Sequence, residues 1–157
     1  MHKTARRSSE EASVTREQLD AVLKFLPLFE RKGARFVGKP GRSTESKGVV
    51  TIELPENSRD VDRFQSAAYE NHLVVTNWDW GKWQSTAEGY YKTPSRLKRA
   101  SLLTVRRLLT VHLRKEHFCS GHLVDMLEQG HIQAILRRLG ELRTQLEPAK
   151  GARAAKK

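Results

Sequence analysis

Cysteine is nearly missing from this chain: Cys119 stands alone, so no internal disulfide can form and nothing calls for an oxidising compartment. No apolar run approaches the roughly 20 residues that a bilayer-spanning helix needs. With 30% charged residues, this excludes an integral helical membrane protein. The opening Met1-His2-Lys3-Thr4-Ala5-Arg6-Arg7 leads into no apolar stretch, so it does not read as a secretory signal, and a cytoplasmic location is expected. Acidic residues are scarce too, but only in one half. Residues 15–90 hold eleven basic and eleven acidic side chains, whereas residues 91–147 hold eleven basic and five acidic. Of the net charge of +11, +10 lies beyond residue 90.

What is present suits one core: 157 residues, 38% of them hydrophobic. The expected organisation is a disordered arm over 1–14, a single globular domain over 15–147 and a disordered basic tail over 148–157. Thr15-Arg16-Glu17-Gln18 fits a capping box, and Leu19, Val22, Leu23 and Leu26 follow at helical spacing. Pro27 kinks or ends that helix, with a further turn before Gly33. Arg35-Phe36-Val37 and Gly48 to Leu54 are expected as two short strands, joined by a loop of turn formers. Ser58 is the expected N-cap of a helix with Val61, Phe64, Ala67 and Ala68 inside, and Leu73 to Thr76 reads as a short strand. Thr93-Pro94 opens a long helix reaching Lys115 or Glu116. Ser120 caps a short helix ending at Gly130, and His131 to about Leu146 forms the last. The fold class is α+β, mainly helical, with a small β-hairpin packed on a C-terminal helical layer.

On a helical wheel of about 100° per residue, Arg96, Arg99, Arg106, Arg107 and Arg114 fall on one side of the long helix. Leu97, Val105, Leu108, Leu109 and His112 fall opposite. Acids that would alternate with these arginines on a merely solvating face are missing. Guanidinium forks match phosphate oxygens and stay charged at any relevant pH. Trp78, Trp80 and Trp83 lie close before this row, as stacking surfaces beside positive charge or as core fillers. Lys150, Arg153, Lys156 and Lys157 add a basic clamp.

Other chemistries find less support. The Ser120–Gln129 and His131–Leu142 pair, joined by Gly130, has helix-turn-helix features with Gln133, Arg137 and Arg138 on its second helix, but plain hairpin packing explains the same apolar stripe. His112, His117, Cys119, His122 and His131 lack the paired ligand spacing of a structural zinc site, and Cys119 has no orienting acid, so it reads as a buried cysteine. No Walker A loop, nucleophile elbow, His-Glu-x-x-His or dinucleotide fingerprint is present, so no catalytic set, metal or cofactor is assigned.

Leu108 to Leu123, including Phe118-Cys119-Ser120-Gly121-His122-Leu123, and Glu128 to Leu139 are distinctive runs. With Leu26-Pro27-Leu28-Phe29-Glu30 and Ala68-Tyr69-Glu70, they resemble an uncharacterised bacterial domain-of-unknown-function family over residues 16–144, with Phe-Cys-x-Gly-His-Leu as its signature. The resemblance implies a bacterial or phage setting and no mechanism. It singles out Glu70, Cys119, Gly121 and His122 as the motif positions to examine.

The leading expectation is a non-enzymatic binding protein whose cationic helical face docks a polyanion, nucleic acid first. The alternative is a protein-interaction or inhibitor module that meets an acidic protein partner. A third reading, an enzyme, would gather Glu70, His72 and Asp79 in a pocket walled by the tryptophans.

Overall fold

A computed structural model describes residues 14–38, 42–52 and 56–146. Helix α1 spans Arg16–Leu23 and starts as its sequence dictates. Gln18 N donates to Thr15 Oγ1 (3.2 Å) while Thr15 N donates to Gln18 Oε1 (2.9 Å), so two N-terminal amides are satisfied reciprocally. Val14, just outside the cap, is buried in the same core cluster as Leu19. Pro27 cannot donate to residue 23; α1 stops, and α2 (Leu26–Glu30) restarts with that proline in its first turn.

Helix α3 spans Arg59–Glu70, and Val61 N donates to Ser58 Oγ as the cap. Val61, Phe64 and Ala68 form its buried stripe. Phe64 meets Phe29 edge-on, with ring centres 5.4 Å apart, and Phe25 closes the cluster.

The mainly helical α+β architecture with one hairpin is what the chain adopts, but its strands lie elsewhere. β1 (Ser43–Ser46) pairs antiparallel with β2 (Val49–Ile52) across a two-residue turn in which both Lys47 and Gly48 have positive φ. The expected first strand, Arg35 to Val37, contributes only an isolated bridge from Val37 to Asn57. It closes the base of the excursion, aided by Gly38 N to Glu56 O (2.8 Å) and Ser58 N to Phe36 O (2.7 Å). All eight strand residues are exposed, so the hairpin stands off the helical body and buries no face against it. Its register follows from the Lys47-Gly48 turn; the sequence reading placed those residues in a loop and a strand end.

Helix α4 (Gln84–Lys92) leads into a 3₁₀ segment (Pro94–Arg99), then α5 (Leu102–Phe118), α6 (His122–Glu128) and α7 (His131–Arg143). The single helix expected from Pro94 to Glu116 is therefore two elements. Ala100 is extended, and Ser101 caps α5 by accepting from Thr104 N (3.2 Å). Leu73 to Thr76 forms no strand; it is buried coil up to Val75, whose N donates to Thr110 Oγ1 (2.9 Å). α7 packs on α1, α2, the 3₁₀ segment, α5 and α6 through Ile132, Ile135, Leu136, Leu139 and Leu142. Each such side chain contributes roughly 1.5–3 kcal/mol on full burial, so α7 is the keel of the domain. α5 is buried nearly all round between Val105 and Leu113.

Candidate nucleic-acid interface

The burial of α5 corrects the arginine row. A wheel assumes one continuous helix with one dry face, and neither condition holds. Arg96 and Arg99 sit on the 3₁₀ segment, out of phase with α5. Arg106 is 4% exposed, and its Nη2 donates to the carbonyl of His72 (2.9 Å), so it ties α5 to the turn after α3 and offers nothing to solvent. That turn needs a holder, because His72 is in left-handed backbone with φ 59°.

The other four arginines keep their charge. Among the described residues Arg96, Arg99, Arg107 and Arg114 have no carboxylate partner. Three of them lie over aromatic rings instead. The Arg96 guanidinium is 4.4 Å from the centre of Tyr90, Arg107 is 5.3 Å from Trp78, and Arg114 is 5.8 Å from Tyr69. The rings themselves form a chain: Tyr90 stacks on Trp83 (6.3 Å), and Trp83 meets Trp78 edge-on (5.5 Å). Arg96, Tyr90, Trp83, Trp78 and Arg107 thus make one run of planar groups with a cation at each end. Trp80 turns aside to stack on Phe118, which is 77% exposed. All three tryptophans are half-buried, so the expected choice between core filler and platform has a mixed answer. A ring under a guanidinium occupies its face and leaves the in-plane N–H edges for a phosphate.

Residues weighed for major-groove reading are engaged internally. Gln133 is buried and its Nε2 donates to Leu127 O (2.9 Å). Arg137 pairs with Glu30 (3.0 Å), and Arg138 with Glu141 (2.8 Å) and Ala100 O (3.1 Å). α6 and α7 form a packing hairpin, and Arg143 pairs with Asp20 of α1. Lys150, Arg153, Lys156 and Lys157, like residues 1–13 of the expected arm, lie outside the described residues.

The turn between α5 and α6 is built around Glu116. Its carboxylate accepts from Gly121 N (3.2 Å) and Leu123 N (2.9 Å), and from Asn57 Nδ2 (3.5 Å). Gly121, not Ser120, precedes α6, with φ 94°, a conformation that penalises any side chain. Cys119 is exposed, contrary to expectation. His117 Nε2 shares a hydrogen bond with the Tyr69 hydroxyl (3.2 Å). Glu70 lines a shallow groove with Lys24, Phe25, Asp62 and Arg63, and neither His72 nor Asp79 lines that groove. Among the described residues no helix is long and apolar enough to cross a membrane.

The sequence matches the family of unknown function DUF6508 over residues 14–145. The chain belongs to that family. No curated protein and no solved structure matches it. The DUF6508 match spans almost all of the described structure and leaves the basic tail outside.

Of the His112, His117, Cys119, His122 and His131 group singled out in the sequence, the DUF6508 domain brings three histidine rings together. His112 Nδ1 lies 2.9 Å from His122 Nε2 with the rings stacked, and His131 meets His112 edge-on at 5.0 Å. Burial lowers the pKa of all three: His112 falls well below the usual imidazole value and His131 to about 4, with neighbouring positive charge adding to the effect. They are neutral at pH 7. Among the described residues no group of three His, Cys, Asp or Glu side chains is arranged to hold a metal. One signal was present: His112 fell on the apolar side of the wheel.

Proposed function

We propose that this protein binds nucleic acid, without catalysing a reaction, through the run of arginines and aromatic rings that joins the 3₁₀ segment, residues 78–83 and α5. One observation carries the reading: Arg96, Arg107 and Arg114 rest on rings and have no carboxylate among the described residues. Held this way, each guanidinium is pre-positioned yet still charged, and half-buried rings beside it suit base stacking. Single strands fit better than duplex, because stacking needs splayed bases and Gln133, Arg137 and Arg138 of α7 are engaged internally. The concentration of positive charge after residue 90 favours polyanion encounter, and the tail lysines would extend the contact. A cytoplasmic, bacterial setting goes with this reading.

The test is titration of fluorescein-labelled single-stranded DNA and RNA, long enough to span a site of about 4–16 nucleotides. Tryptophan emission should fall on binding, and R96Q/R107Q/R114Q should weaken binding at least tenfold while melting normally. Unchanged affinity in that variant would overturn the assignment. If a partner captured from lysate survives nuclease treatment while labelled strands fail to bind, the face belongs to an acidic protein instead.

A further inference from the structure

Between α4, α5 and α6 lies a cavity of about 390 Å³, within the roughly 300–1,000 Å³ range of small-molecule sites. Ala87, Val111 and Met126 supply its apolar wall, and Tyr91 an aromatic one. His112, His122 and Lys115 supply its polar side. We infer that this cavity binds a small organic carboxylate with an apolar body, the carboxylate held by Lys115 and the imidazole pair, independently of the arginine face.

Three observations support a built site. First, His112 is 5% exposed and lines the cavity, yet its Nε2 has no hydrogen-bond partner. A buried polar atom left so destabilises the fold unless something meets it. Second, the bonded imidazole pair always keeps a donor to spare. If His122 Nε2 donates to His112 Nδ1, the neutral His112 ring carries its proton on Nε2. If His112 donates instead, the proton sits on His122 Nδ1. Either tautomer leaves one ring N–H outside the pair, on His112 Nε2 or His122 Nδ1, and both rings line the cavity. Third, the charges at the mouth are unequal. Glu88 is paired with Lys92 at 3.1 Å, whereas the Lys115 ammonium has no ion pair among the described residues. The cavity therefore favours an anion over a cation.

Benzoate is the probe, with benzyl alcohol as the same ring without the charge. In two-dimensional NMR of the full chain, benzoate should move the ring resonances of His112 and His122 saturably, and benzyl alcohol should bind at least tenfold more weakly. Lys115→Gln, at a half-exposed position, should weaken benzoate at least tenfold, and Lys82→Gln, outside the cavity, should leave it unchanged. The proposal is overturned if benzoate moves neither ring, if benzyl alcohol binds equally well, or if Lys115→Gln binds as the wild type does. Oligonucleotide binding by the same samples reports on the arginine face separately.

Discussion

Acidification should destabilise this fold well before its carboxylates titrate, because the histidine cluster is folded around neutral rings. The His131 pKa is about 4 in the folded chain against a usual 6.5, and burial is the main cause. Between those values the unfolded chain binds a proton that the folded one refuses, so stability is fully present above 6.5 and falls as pH drops. At about 1.36 kcal/mol per unit, His131 alone removes about 2.7 kcal/mol by about pH 4.5, a large share of the 5–15 kcal/mol typical of a domain. His112 acts in the same direction. The Asp20 carboxyl is held below its ordinary value of 3.8 by Arg143, so its contribution is lost only at still lower pH. Asp62, raised by burial, opposes the trend. Urea unfolding followed by tryptophan emission from about pH 7 down to about pH 4.5 reads the slope. His131→Phe keeps an aromatic ring against Tyr91 and His112 and should flatten it by about 2 kcal/mol over that interval. Equal slopes in the two proteins, or no loss between about pH 7 and 5, would refute the argument.

Other substitutions separate internal from external roles. Arg106→Ala should cost about 2–4 kcal/mol in urea unfolding, since it removes a buried charged donor from the His72 carbonyl, whereas exposed Arg99→Ala should stay within about 0.5 kcal/mol. Glu116→Ala should cost about 1–3 kcal/mol, because two amides at the start of α6 lose their acceptor. Replacing residues 42–52 and their flanks with a short turn between Gly38 and Glu56 should change stability by less than about 1 kcal/mol, because the hairpin buries no apolar face and the bridge at its base remains.

Much of the fold could be read from local chemistry. The Thr15 box, the Ser58 cap and Pro27 act within one turn of themselves, and the stripes of α3 and α7 repeat at helical period, so sequence alone places them. The errors came where distant contacts decide. The break at Ala100-Ser101 is paid for by seating Leu97 and Ala100 in the core, which no local window reveals. Arg106 looked like its neighbours until the His72 turn was seen beside it. Glu116 stands in the sequence only as a possible end of the long helix, though its carboxylate accepts from amides five and seven residues ahead. His112, His122 and His131 sit on three helices, and only the packing of α5, α6 and α7 brings their rings together.

For the arginine–aromatic face, the salt dependence of single-strand affinity is the deciding quantity. At about −0.7 per phosphate neutralised, the four arginines contribute about −2.8 to the slope of log affinity against log salt, contacts from the tail steepen it further, and R96Q/R107Q/R114Q should make it shallower by about 2. A slope near zero, or one that the triple substitution leaves untouched, would contradict the account.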